Sequence, residues 1–231
     1  MALIRFAEGQ QRSGSIGGTV YSHNRFGAYI RARSIPVNPN TTYQAAVRNW
    51  MRNLAIAWQN DLTDDQRRSW TQYALGTIWL NKFGESTHLS GLNHFIRSNV
   101  ANFQAGGTRI SEGPDVFTLA QAEASLVVGA SEATQELNIQ FDDSADWCAE
   151  DGAFELVFMG RPRNPSNDYF GGPYRFAGTI DGSSTTAPTT PVQIAAPFVF
   201  AAGQRIWVQT RILRADGRLS LRAQDDFLAA A

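Results

Sequence analysis

Between Thr41 and Gln104 the apolar residues recur at spacings of three and four. Val47, Trp50, Met51, Leu54 and Trp58 form one stripe, the period of an amphipathic helix. Asn40 or Thr41 can cap its start, behind Pro36 and Pro39, which disfavour helix before them. A second helix starts at "TDDQRRSWTQYA", where Thr63 and Gln66 make a capping box and Asp64 and Asp65 meet the positive end of the helix dipole. Trp70, Tyr73 and Ala74 mark its buried side, and the short link at 60–62 predicts an antiparallel helical hairpin. An extended stretch anchored by Ile78, Trp79, Leu80 and Phe83 follows. A third helix begins at Ser90, with Leu92, Phe95, Ile96, Val100 and Phe103 on one face and Gly106–Gly107 ending it. Four of the six tryptophans fall between residues 50 and 79, so they read as the filling of a small helical core: Val47, Trp50, Leu54, Trp58, Trp70 and Phe95.

From about Val116 the period changes to two. "ELNIQF" points Leu137, Ile139 and Phe141 inward, and "AFELVFMG" does the same with Phe154, Leu156 and Phe158. Phe176 and Ile180, then Ile206, Val208 and Ile212, continue the alternation. Asp216–Gly217 sits between two such runs and predicts a hairpin turn. Roughly seven strands with no helical pattern describe a β-sandwich of immunoglobulin or fibronectin type III shape. Trp147 and Cys148 do not make the cysteine–tryptophan–cysteine spacing of a true immunoglobulin domain. Before the helices, "IGGTVYS" and "AYIRARS" read as a β-hairpin turning at 23–27, with Arg31 and Arg33 on one face and Ile30 and Ala32 on the other. The expected fold is therefore α+β with two domains, a hairpin plus three helices over 1–110 and an all-β sandwich over 111–231.

Charge sharpens that division. The net charge of -1 hides twelve basic and five acidic residues through Ile110, against eight basic and sixteen acidic from Ser111 onward. A basic front half is an expectation of an acidic partner. Nineteen of the twenty basic residues are arginine, whose planar fork suits protein interfaces and phosphates. No apolar run approaches the ~20 residues of a membrane-spanning helix. "MALIRFAEGQ" does not read as a signal peptide. A lone cysteine, Cys148, leaves neither an internal disulfide nor a thiolate zinc cluster.

Reactive constellations are not evident in the sequence. His23, His88 and His94 lack metal-ligand spacing, and His94 reads as a surface or core-edge residue. Cys148 has no evident histidine partner, and no G-x-S-x-G elbow occurs. The acidic pairs near Asp142, Glu150 and Asp225 lack EF-hand spacing and read as solvated loops. Gly14, Gly17 and Gly18 precede a strand, with no Lys-Ser/Thr and no helix N-terminus to hold phosphates. They would instead let another backbone come close. No catalytic residue, cofactor or metal is expected. The stretch 14–41 reads as a docking hairpin through Gly17, Gly18, Tyr21, Arg25, Tyr29, Arg31 and Arg33.

Residues 12–104 carry the glycine-rich hairpin, an arginine-bearing second strand, the "NPNT" turn, "QAAVR", "LTDDQRRSWTQYA" and "GLNHFIRSN". That combination resembles a group of virion-associated proteins of tailed bacteriophages and prophages. The resemblance implies a structural protein of the virion with a variable β-rich domain behind the shared part, and the lone Cys148 is the reason to expect its manufacture in the reducing host cytoplasm. The leading expectation is a capsid-associated decoration or cement protein, a homo-oligomer or multi-copy assembly, with its basic half on the major capsid protein. A head–tail connector, tail or baseplate position is the alternative. From another class, the sandwich could bind host-surface glycan through Tyr169, Phe170 and Tyr174. Nucleic acid is a lesser expectation for the basic half, and none is held for a membrane.

Overall fold

The computed structural model describes residues 2–3, 13–24, 27–35, 37–80 and 86–231. Arg25, Phe26, Pro36, Lys82 and Phe83 lie outside the described residues. The chain is mixed α+β and divides into two compact units, 1–45 and 46–231.

In the first unit, β1 (Ala2–Leu3), β2 (Gly14–Ile16), β3 (Thr19–Asn24) and β4 (Gly27–Ala32) form an antiparallel sheet in the order β1-β4-β3-β2. Ser15 pairs with Val20 and Ile16 with Thr19, so Gly17–Gly18 is a two-residue turn. Gly17 has a φ of 57°, the left-handed region that such turns need and glycine adopts without strain. This corrects the reading of 16–22 as one uninterrupted strand. A Cβ at Gly14, Gly17 or Gly18 would meet nothing among the described residues within 4 Å. Downstream, Thr41 Oγ1 accepts from Gln44 N and Gln44 Oε1 accepts from Thr41 N, both at 3.3 Å, a capping box that starts α1 (Thr42–Asn60).

The second unit continues with α2 (Asp64–Gly76), the short ladder of β5 (Trp79–Leu80) and β6 (Ser86–Thr87), and α3 (Gly91–Gln104). Thr63 and Gln66 form the expected capping box on α2, and Ser90 Oγ accepts from Asn93 N to cap α3. Leu54, Ala57, Leu62, Trp70, Tyr73 and Phe95 make the helical core, with Trp58 and Ile96 against it. Trp70 stands edge-on to Phe95, ring centroids 5.7 Å apart. Val47 and Trp50 are half-buried and Met51 is exposed.

Helix α3 departs from its expected face. Leu92, Ile96, Val100 and Phe103 are half-buried, whereas His94, Ser98, Asn99 and Asn102 are buried beside Phe95 and Ala101. The helix has neighbours on two sides, so polar residues enter the interior, and the two asparagines are bonded there while Ser98 Oγ has no partner among the described residues. Asn99 Nδ2 donates to Phe95 O and Ile110 O, both at 3.0 Å, while Asn99 Oδ1 accepts from Ile110 N at 2.7 Å. Gly91 is required by close approach, because a Cβ there would lie 2.8 Å from Thr71 Oγ1 and 2.9 Å from Thr71 N.

The β part comprises β7 (Val127–Ser131), β8 (Glu136–Gln140), β9 (Phe154–Gly160), β10 (Tyr174–Asp181), β11 (Val192–Ala195), β12 (Arg205–Leu213) and β13 (Ala223–Leu228). They form two antiparallel sheets, β10-β9-β12-β13 and β11-β8-β7. One apolar core lies between them. Leu137, Ile139 and Ile194 enter it from the smaller sheet, and Val157, Met159, Ile180, Ile206, Val208 and Ile212 from the larger. Burial of such side chains contributes about 1.5–3 kcal/mol each.

In β9 the phase is opposite to expectation. Val157 and Met159 face this core, whereas Leu156 joins Leu213, Leu219 and Ala101 of α3 in an outer layer, with Phe154 and Phe158 against it. The strand is apolar on both faces because a helix covers its outer side. A bulge between Phe176 and Gly178 likewise sends Phe176 to the outer layer and Ile180 to the core. The Asp216–Gly217 turn closes β12 onto β13, with Gly217 at φ 93° and its Cα side against the Trp70 ring. These helix-to-sheet contacts place residue 110, the expected domain boundary, inside the second unit.

Candidate functional site

The expected docking residues lie on the N-terminal sheet. Tyr21 pairs with Ile30 across β3 and β4, Ser22 with Tyr29, and Val20 with Arg31. Alternation then puts Tyr21 and Ile30 on one face and Val20, Tyr29 and Arg31 on the other. Arg33 follows the strand and its backbone N–H donates to Gly18 O at 2.9 Å, which ties Arg33 to the glycine turn. The sheet therefore brings Gly17, Gly18, Tyr21, Tyr29, Arg31 and Arg33 together, while Arg25 lies outside the described residues.

Two properties set this sheet apart. Across 14–23 and 28–32 no residue is buried, and Tyr21, Tyr29 and Ile30 are only half-covered. Around it, Ile16 is 75%, Ile35 82% and Val37 91% exposed. Its charge is one-sided as well. Residues 1–45 hold five arginines and one glutamate, Glu8. Arg31 and Arg33 are exposed and pair with no carboxylate among the described residues. Apolar side chains beside planar cationic forks can grip an acidic protein surface.

Elsewhere the candidate reactive groups have structural partners. His94 is fully buried, which corrects its reading as a surface or core-edge residue. Its ring meets Tyr73 edge-on at 4.9 Å and its Nε2 accepts from Trp79 Nε1 at 3.4 Å. Burial, with Arg97 nearby, pushes its pKa down to about 4, so the ring stays neutral. Cys148 is buried, its thiol pushed up to about 11 by that burial, and it donates to Asp142 O. An unionised thiol is a poor nucleophile. Asp142 accepts from Ser144 and Asp151 from Ser184, bonds that hold both carboxyls below their usual range. Glu150 pairs with Arg214. Among the described residues no three of His, Cys, Asp and Glu gather as a metal site, and no helix is long and apolar enough to cross a membrane.

Of the aromatics expected to meet glycan, Tyr169 is 85% exposed. Phe170 is buried and stacks on Trp207 with centroids 5.3 Å apart, and Tyr174 is half-buried with its hydroxyl donating to Phe170 O. Sequence reading missed Glu155, which is fully buried, and a gathering of Arg97, Arg211 and Arg222. The available signal was a charge at an alternating position: Glu155 falls in phase with the inward Val157 and Met159, and Arg211 in phase with Leu213.

No protein-family model matches the chain, and no curated protein sequence matches it. Among solved structures, a family 76 glycoside hydrolase from a bovine Bacteroides thetaiotaomicron strain is similar over 47% of this chain and 20% of that chain. At 14% identity and a TM-score of 0.29 this likeness carries no argument about chemistry.

Proposed function

We propose that this protein is a structural component of a tailed-phage particle, a decoration or cement protein that docks on the major capsid protein through its N-terminal sheet. One observation carries the reading: in the four-stranded N-terminal sheet every residue of 14–23 and 28–32 is at least partly exposed, Arg31 and Ile16 among them, with exposed Arg33 just beyond. A small sheet is marginal on its own, and a partner surface lying on these exposed positions would give it cover. The resemblance of residues 12–104 to tailed-phage virion proteins agrees with this. In the second unit, we read the paired sheets as a fibronectin type III-like sandwich. Lettered along the chain, β7, β8 and β11 make an A-B-E sheet and β10, β9, β12 and β13 a C′-C-F-G sheet, the order that supports the reading. Such a module is a spacer or adhesive element, and the self-contained core of 46–231 suits that role.

Mass spectrometry and cryo-EM of purified particles test the proposal. The expected result is many copies distributed over the shell. A small ring or fibre multiple would move the protein to the connector or tail, and absence from mature particles would overturn the reading. The doubly reversed variant Arg31→Glu, Arg33→Glu is expected to lose about tenfold or more in incorporation, because like charges then face the partner. Its melting temperature should match the parent, since neither side chain is buried.

A further inference from the structure

The outer face of the four-stranded sheet is covered from two directions. At one end Ala101 of α3 packs on Leu156, Leu213 and Leu219. At the other, Phe170 stacks on Trp207 and closes against Gly160. Between the covers is an open cleft of about 400 Å³, floored by Phe158, Gln209 and Arg211, walled by Tyr174 and Gln104, and rimmed by Arg222.

Two guanidinium groups, Arg211 and Arg222, line it, and a third, Arg97, lies behind them with its cation over the Trp79 ring at 4.7 Å. Arg97 donates from Nη1 to Leu219 O and from Nη2 to Ser220 O, both at 2.9 Å. Arg211 donates to the same Ser220 oxygen, from Nη2 at 3.2 Å and Nε at 3.4 Å. Two cations thus share one neutral carbonyl, and exposed Arg222 stands two residues beyond it. Burial and the charges of Arg97 and Arg222 push Arg211 down to about 9, and burial brings Arg97 to about 10. None of the three pairs with a carboxylate among the described residues. The acids of β13 are engaged elsewhere: Asp225 Oδ2 accepts from Val128 N at 2.9 Å, and Asp226 pairs with Arg205 at 3.0 Å. Like charges drawn partly out of water are unfavourable unless an opposite charge joins them.

We propose that this cleft binds a small oxyanion-bearing ligand, its phosphate or carboxylate group held by Arg211 and Arg222 and its body lying against Phe158 and Tyr174. Guanidinium forks match the geometry of both anions, and the ring walls accept an apolar or sugar skeleton. This site is independent of the docking sheet, and its failure would leave the docking proposal untouched.

The test is calorimetric titration of the full-length protein with inorganic phosphate and, separately, with glucuronate, at constant ionic strength set by chloride. Saturable binding with a Kd of about 1 mM or tighter is expected for at least one anion. A response to phosphate alone assigns a phosphoryl ligand, and a response to glucuronate alone assigns an acidic sugar. Arg222→Gln and Arg211→Gln should each weaken that binding about tenfold or more, while Arg161→Gln, outside the cleft, should leave it unchanged. Arg222 is exposed, so its variant keeps the test decisive even if the Arg211 variant fails to fold. No saturable binding of either anion, or wild-type affinity in Arg222→Gln, would overturn the proposal.

Discussion

The N-terminal sheet and the body of residues 46–231 use the same side chains to opposite ends. In the body, Trp70 donates from Nε1 to Ser111 O, packs on Phe95 and lies against Gly217, so one residue joins the helices to the β12–β13 turn. Arginines there are engaged as well: Arg205 with Asp168 and Asp226, Arg214 with Glu150, Arg97 with two carbonyls. In the sheet, Arg31, Arg33 and Ile16 are left to solvent. A region that satisfies its own groups is explained by folding, whereas an unsatisfied one calls for a partner.

That contrast is broken most directly at Trp70. Trp70→Ala is expected to cost about 3–5 kcal/mol. Because the ring touches both helix α3 and the Gly217 turn, helical circular dichroism and the fluorescence of buried Trp147 and Trp207 should be lost in one shifted transition. Two separated transitions would divide the body into independent helical and β parts.

Glu155 sharpens the comparison from the other direction, since it is the acidic member of several buried polar side chains in the body that lack a hydrogen-bond partner among the described residues. It is fully buried, with the Thr210 hydroxyl the polar group beside it and neither carboxylate oxygen in good hydrogen-bond geometry. Burial raises its pKa from 4.5 to about 7. The unfolded chain ionises near 4.5, while the folded chain keeps the proton until about pH 7. Stability is therefore complete below 4.5 and falls as pH rises toward 7, by about 3 kcal/mol. Glu155→Gln stays neutral throughout and should flatten that slope in urea unfolding measured between pH 4.5 and 7.5. Equal slopes in the two proteins would mean that Glu155 is not the group responsible.

Much of the body was legible because its signals are local. The Thr63–Gln66 box, the Ser90 cap and the Asp216–Gly217 turn each depend on residues within a few positions, and each forms. What escaped depends on distance along the chain. Alternation assigns Leu156 and Val157 to opposite faces, but only the arrival of α3 decides that both are buried. Arg97 reaches Ser220 across 123 positions, a pairing that no periodicity encodes. The same holds for Arg211, which belongs to an outward face until a helix and the Phe170 loop enclose it. On the N-terminal sheet, the shared side of Arg31 and Arg33 was legible from β alternation. The Gly17–Gly18 turn was not, because glycines at a strand end and glycines in a two-residue turn look alike until pairing fixes the register.

The smallest expected effect tests the open side of the contrast. Ile16 ends β2 opposite Thr19 and is three-quarters exposed, so its side chain gives up little contact with the rest of the chain. Ile16→Ser should change the stability of the free protein by no more than about 0.5 kcal/mol, the range of ordinary surface substitutions. The same variant should reduce incorporation into particles if the sheet is covered there, because an apolar contact would be replaced by a hydroxyl. A loss above about 1.5 kcal/mol in the free chain would instead reveal a core beneath Ile16. The sheet would then be no more open than the body, and exposure could no longer be the reason to assign it a partner.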